Sequence, residues 1–281
     1  MSSLTILESG PLATIQDRGR IGQASLGIPA SGACDRRSYA LSNRLVGNTD
    51  GAAAIEVTFG GLVLHADTDL TVAITGAPCP GVPLNAPAHL KAGQVLRLGP
   101  PRTGLRTYVA VRGGIDAPPV LGSRSTDLLS GLGPAPLGPG QTVPVGRAYG
   151  PMPGVDLAPV AHPTAGEVVI RVTPGPRRDW FTDAGWQSLV TQTYRVSSNS
   201  NRVGVRLDGV PLDRARTDEL ASEGMALGAI QIPPSGTPVI FLADHPVTGG
   251  YPVIAYVTEA DLDACAQLRP GQAARLTSRT S

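Results

Sequence analysis

The sequence predicts a mainly β protein with a few short helices, arranged as two related β-rich halves. Three observations carry that expectation. Apolar residues fall in short runs bounded by Gly and Pro clusters, as expected of short strands joined by tight turns. The 281 residues include 35 Gly and 27 Pro, which interrupt long helices. A pattern in the first half also recurs in the second. Glu56 and Gly61 match Glu223 and Gly228 at an offset of 167 (223 − 56), Asp67 falls on Pro234 at a turn, and Val72–Ile74 falls on Val239–Phe241. Arg20-Ile21-Gly22 with Gly27 matches Arg202-Val203-Gly204 with Gly209 at an offset of 182 (202 − 20). The larger second offset leaves room for one extra helix in the first half.

Each element follows from local pattern. Leu4–Leu7 and Ala13–Ile15 are strand candidates separated by the turn Glu8-Ser9-Gly10-Pro11. Arg36–Val46 is the best helix of the first half, with Asp35 as N-cap, Tyr39, Leu41, Leu45 and Val46 on one face, and Gly47-Asn48 as the stop. Its first N–H groups suit either capping by Asp35 or an anion. Strands follow at Ala54–Val57, Leu62–Leu64, Leu70–Ile74, Val95–Leu98 and Arg106–Val111, with a loop at Pro78–Pro87. Ser123-Arg124-Ser125-Thr126-Asp127 reads either as a loop facing a ligand or as the cap of a helical turn. Residues 131–166 are crowded with Gly, Pro and Ala, so the expected organisation is a first β-rich domain at 1–140, a linker at 141–165 and a second β-rich domain at 166–281. In the second half, strands are expected at Val168–Val172, Tyr194–Ser197, Val253–Val257 and Ala274–Leu276. Helices are expected at Trp180–Val190, with Trp186 and Leu189 buried, and at Asp261–Gln267.

Composition excludes several function classes. Hydrophobic residues make up 41% and aromatics 4%, so Val, Leu, Ile and Ala must build the core. A net charge of +1 argues against a nucleic-acid or membrane partner recruited by bulk charge. Lys91 is the single lysine, no GxxxxGK[ST] loop exists, and His89-Leu90-Lys91-Ala92-Gly93 lacks the methionines of a biotin attachment site. Cys34, Cys79 and Cys265 have no metal-ligand spacing, and His65, His89, His162 and His245 form no HxxH or HExxH pair, so no metal site is expected. Scattered cysteines, no signal-peptide pattern and no apolar run of about 20 residues point to a cytoplasmic protein.

The second half centres on residues 222–252. Apolar runs at Gly228–Ile232 and Val239–Ala243 flank the turn Pro233-Pro234-Ser235-Gly236. The second run breaks into Asp244-His245 before Thr248-Gly249-Gly250-Tyr251-Pro252. Polar groups at strand ends are where a rigid scaffold presents charge to a ligand. Upstream, Ser198-Asn199-Ser200-Asn201-Arg202 is a stronger anion-site candidate than Arg18, although an Asn/Ser turn explains it equally.

QDRGRIG, GIPASGACD, LVGN with EVTFGG, SNRVGVRLDG, SEGMALGAIQIPPSGTPVIFLADHPVTGGYP and QLRPGQ occur in that order across nearly the whole chain. Together they resemble the KipA family, which includes the C-type subunit of bacterial 5-oxoprolinase. The family is also called allophanate hydrolase subunit 2 or carboxyltransferase-like, and is similar to part of urea carboxylase. The resemblance implies two cyclophilin-like β-barrel domains related by duplication. It also implies a KipI-like partner (the B-type subunit of 5-oxoprolinase, or allophanate hydrolase subunit 1), a LamB/YcsF-type partner (the A-type subunit), and ATP used by the complex to open 5-oxoproline to glutamate. Two alternatives stand beside it: a carboxyltransferase or allophanate-hydrolase-like activity, and a non-catalytic partner of a KipI-like protein. Asp244-His245-Pro246-Val247-Thr248 departs from the family's D-R/H-Q-T-T-like run.

Opening a lactam requires an activated carbonyl oxygen, an aimed water and a protonated amine. On that chemistry Glu223 or Asp244 is the acid/base candidate, supported by Tyr251 or Gln231. Asn201 and Arg202 orient the anion, Arg20 and Asp35 contribute from the first half, and Thr248, Gly249 and Gly250 face the substrate. Glu223 equally suits a structural role at a strand end. Replacing Asp244 with Asn is expected to abolish turnover with the fold intact.

Overall fold

Short apolar runs become strands because alternate side chains can be buried while the backbone pairs laterally. The computed structural model describes residues 2–278. The chain divides into two units, Met1–Ile21 with Ser31–Pro163, and Gly22–Ala30 with Thr164–Ser281.

The first unit contains β1 (Ser3–Ser9), β2 (Leu12–Gln16), α1 (Arg36–Leu45), β3 (Ala54–Thr58), β4 (Leu62–Ala66), β5 (Leu70–Gly76), β6 (Pro87–Leu90), β7 (Val95–Arg97), β8 (Arg106–Val111) and β9 (Thr142–Pro144). They form a four-stranded sheet, β7-β4-β1-β9, and a five-stranded sheet, β2-β3-β8-β5-β6. Leu4, Ile6, Ile55, Leu64, Val72, Ile74 and Val109 share the main core. A second cluster joins Tyr39, Leu45 and Val46 to Ala54, Ala73, Tyr108 and Ala110. The five-stranded sheet is therefore buried on both faces, which explains why every residue of β8 is buried. Each fully buried aliphatic side chain contributes roughly 1.5–3 kcal/mol.

Asp35 caps α1 as its position predicts, accepting from Ser38 N at 2.9 Å and Ser38 Oγ at 2.7 Å. The Gly/Pro-rich stretch is less open than composition suggests. Within 141–165, β9 pairs with β1 through Leu4↔Val143, and Val143 and Val145 join the core. Three apolar-compatible residues among prolines carry no periodic signal, and their pairing partner lies at the other end of the unit's sequence.

The second unit contains β10 (Val168–Pro174), α2 (Asp183–Thr191), β11 (Thr193–Val196), β12 (Gly204–Asp208), β13 (Glu223–Gly224), β14 (Ala229–Gln231), β15 (Val239–Phe241), β16 (Thr248–Gly249), β17 (Val253–Val257), α3 (Leu262–Ala266) and β18 (Ala273–Ser278). Seven strands close a barrel in the order β10-β17-β14-β15-β12-β11-β18, sealed by the parallel pairing of β10 with β18. Closure removes exposed sheet edges. A separate ribbon pairs β13 with β16. Thr182 caps α2 and Leu189 is buried, whereas Trp186 is only half-buried and lies 5.2 Å from the Arg178 guanidinium. The indole thus serves as a cation–π platform as well as packing surface.

Both units are β-built with few helices; among the described residues the second forms a closed barrel and the first forms two sheets. The offset of 167 aligns β4 with β14 and part of β5 with β15. In the second unit these strands are neighbours, whereas in the first they lie in different sheets. The recurring residues therefore do not reproduce strand pairing along that alignment.

Candidate functional site

In the second unit, six of the expected residues gather at or beside the β13–β16 ribbon. Glu223 lies opposite Gly249 and Gly224 opposite Thr248, and Met225 N donates to Val247 O at 2.8 Å. Gln231, in β14, donates through Nε2 to the Tyr251 carbonyl at 3.2 Å and approaches Met225 Sδ at 3.9 Å. A Cβ on Gly249 would stand 2.8 Å from Gln231 Nε2, so this close approach favours glycine. Gly250 borders Leu220 O, Thr248 is exposed, and Tyr251 is 45% exposed.

The sequence reading missed Arg177. Its Nε donates to Glu223 Oε2 at 3.1 Å and its Nη2 to Oε1, while its backbone N donates to Val253 O at 3.0 Å. The two side chains are 34% and 26% exposed. Hydrogen bonding from Arg177 holds the Glu223 carboxyl below the usual carboxylate range. Glu223 is therefore ionised near neutral pH and is a weak base. The available signal was the pair Arg177-Arg178, just beyond the Gly175-Pro176 turn that follows β10.

Asp244 and Arg202, expected to play separate roles, form a buried pair. Arg202 Nε and Nη2 each donate to an Asp244 oxygen at 2.9 Å, with side chains 1% and 0% exposed. Asp244 N also donates to Arg202 O at 3.0 Å. A guanidinium removed from water requires such a partner, so Arg202 is engaged rather than presented to solvent. Asn201 Oδ1 accepts from Val203 N at 2.8 Å and Gly204 N at 3.3 Å, the Asx-turn use of that side chain.

Arg20 and Asp35 belong to the first unit. Arg20 is 2% exposed, its Nε donates to Val120 O at 3.2 Å and its Nη2 to Ser125 O, and its Nη1 is buried with no hydrogen-bond partner. Nearby Asp17 accepts from Ser123 Oγ, Ser125 Oγ and Arg124 N, each at 2.6 Å. Asp35 N donates to Tyr108 Oη at 2.8 Å, and Tyr108 Oη donates to Glu56 Oε2 at 2.7 Å. Burial, reinforced by the Glu56 carboxylate, keeps the Tyr108 phenol well above its ordinary range. Asp35 therefore caps a helix inside a buried network.

The first unit also carries a cleft of about 200 Å³ whose walls include Asn48, Gly51, Gly113, Asp116, Arg124 and Arg147. The loop containing Arg124 was legible as a ligand-facing candidate, whereas Arg147 lay hidden in the Gly/Pro-rich stretch. Among the described residues no group of three or more His, Cys, Asp or Glu is arranged to hold a metal ion, and no helix is long and apolar enough to cross a membrane.

These features define a class: a β-built chain of two units carrying arginine–carboxylate sites, one of which borders an open cleft. Residues 26–278 match the family model for the carboxyltransferase domain, subdomain A and B, and the chain belongs to that family. It is 39% identical over 278 residues to the C-type subunit of 5-oxoprolinase from Escherichia coli K12, covering 96% of this chain and 89% of that one. A crystal structure of TTHA0988 is 35% identical with a TM-score of 0.89, covering 99% of this chain and 56% of that one. The crystal structure of the K. lactis urea amidolyase is 31% identical with a TM-score of 0.89, covering 98% of this chain and 18% of that one. The chain thus spans about half of TTHA0988 and a minor part of the amidolyase.

Proposed function

We propose that this chain is the C-type subunit of an ATP-dependent 5-oxoprolinase, working in the cytoplasm with a KipI-like subunit and a LamB/YcsF-type subunit. The observation that carries the reading is its 39% identity, over 96% of the chain, to the C-type subunit of a 5-oxoprolinase. The three cysteines are free and buried, consistent with a chain that needs no disulfides.

Atom balance sets the reaction: the lactam, ATP and two water molecules give glutamate, ADP and phosphate. ATP supplies the leaving group that activates the carbonyl oxygen, and we assign its binding to the assembled complex. This chain's contribution is electrostatic. Glu223, fixed by Arg177, is a standing anion that accepts a hydrogen bond from the ring N–H or the departing amine. Gln231, held by the Tyr251 carbonyl, fixes the ribbon carrying Thr248, Gly249 and Gly250 at the substrate, and the exposed Tyr251 hydroxyl donates to a substrate oxygen. Asp244, Arg202 and Asn201 hold the adjoining strand ends in place, and Arg20 and Asp35 do the same in the first unit.

The test is glutamate release from 5-oxoproline and ATP by the three co-purified subunits. Turnover that disappears when this chain is omitted supports the reading, and an intact complex without turnover overturns it. Similarity to the K. lactis urea amidolyase favours carboxyl transfer as the second reading. That reading predicts activity dependent on an added biotinylated carrier protein.

A further inference from the structure

The first-unit cleft has a chemical character that none of the residues assigned above to the reaction supplies. Two arginines and one aspartate line it. Arg147 makes no hydrogen bond or ion pair among the described residues. Arg124 approaches Asp116 only loosely, Nη2 to Oδ1 at 3.6 Å, and its Nε is buried without a hydrogen-bond partner. A buried unpaired guanidinium nitrogen is costly unless something else completes it. The Arg124 backbone is nevertheless fixed, because its N–H donates to Asp17 at 2.6 Å.

The walls are equally fixed. Gly113 has φ +99°, and a Cβ there would lie 2.1 Å from Gly146 O, so two turns meet backbone to backbone. Asn48 ties them to the end of α1. Its Oδ1 accepts from Gly113 N and its Nδ2 donates to Val111 O, each at 2.8 Å. Gly51 differs, since a Cβ added there meets nothing within 4 Å.

We propose that this cleft binds a small organic monoanion, its carboxylate held by Arg147 and Arg124 and its adjacent amide-type N–H accepted by Asp116. Two guanidinium groups beside one carboxylate leave a net positive site. The planar fork of arginine matches a carboxylate, while Asp116 disfavours a dianion and rewards a donor beside the charge. The volume suits a molecule the size of a substituted five-membered ring. The inference rests on the 5-oxoprolinase reading only for the choice of probe.

Binding to the full chain is measured by calorimetry with 5-oxoproline, with 2-pyrrolidone (no carboxylate), with its N-methyl lactam carboxylate analogue (no N–H) and with inorganic phosphate. Saturable binding of 5-oxoproline is expected, weakened roughly tenfold or more by loss of the carboxylate or by Arg147→Gln. Loss of the N–H should weaken it about threefold to tenfold. Gly51→Leu fills open space at the wall and should also abolish binding while melting like the parent. No saturable binding, phosphate binding at least as tightly as 5-oxoproline, or parent-like binding by both Arg147→Gln and Gly51→Leu overturns the proposal. Binding is read without partner subunits, so its failure is distinct from a failure of glutamate release by the complex.

Discussion

Replacing Asp244 with Asn tests whether this residue holds the second unit together. In the parent, two charge-assisted hydrogen bonds of 2.9 Å join it to Arg202, and neither side chain is more than 1% exposed. Such bonds contribute about 1.5–3 kcal/mol each. Removing one partner of a buried pair costs about 3–5 kcal/mol, because the remaining charge cannot regain water. Asn keeps one acceptor but no charge, so the expected loss is about 3 kcal/mol, or on the order of 10 °C in the melting midpoint. The assay is urea unfolding of the chain followed by far-ultraviolet circular dichroism. The double variant Asp244→Leu with Arg202→Met should recover much of the loss, since an apolar pair of similar volume removes the unpaired charge. A loss below about 1 kcal/mol for Asp244→Asn, with no recovery in the double variant, would refute the reasoning. The sequence alone leads to the expectation that Asn at 244 abolishes turnover with the fold intact; the buried pairing with Arg202 adds to it an expected loss of stability.

Three other outcomes follow from the same geometry. Glu223→Gln should change stability by less than about 1 kcal/mol, because the Arg177 pair is partly exposed, yet lower turnover of the complex about tenfold or more; steady-state glutamate assays beside melting curves separate the two. Asp261 accepts from Arg171 Nε at 2.8 Å and Nη2 at 2.6 Å, and Arg171 holds its carboxyl below the usual range. Its folded pKa is depressed, so its contribution is present above about pH 4 and lost as pH falls through the folded value; Asp261→Asn should flatten the acid limb of the stability profile, and identical slopes would contradict this. Gly113→Ala should cost roughly 2–4 kcal/mol, because the left-handed backbone and the Gly146 carbonyl both oppose a Cβ, as a thermal melt of the purified variant would read.

The elements most legible in the sequence were those whose burial is local and periodic. β8 occupies Arg106–Val111 as expected, and α1 begins after Asp35 because a carboxylate before an amphipathic stretch satisfies free N–H groups. β9 and the β13–β16 ribbon were not legible. Each is only two or three residues long, and each exists because a distant backbone offers hydrogen bonds. The candidate site divides similarly. Thr248, Gly249, Gly250, Gln231 and Glu223 stood out as candidates because polar residues cluster between strand signals, and the ribbon brings them together, whereas Arg177 was missed because it is distant in sequence from its partner.

Residue type and near-neighbour spacing were enough to settle the β-rich class, the helix start at Asp35, the lack of a P-loop lysine motif, and the ordered motifs that reveal the family. Which charges are spent on one another emerged from the three-dimensional arrangement alone. It gives Arg202 to Asp244 and Arg177 to Glu223, and leaves Arg147 without a partner among the described residues, beside a cleft. Charge pairing falls off over a few ångströms and is governed by exclusion from water, and neither separation in space nor burial can be read from position along a chain.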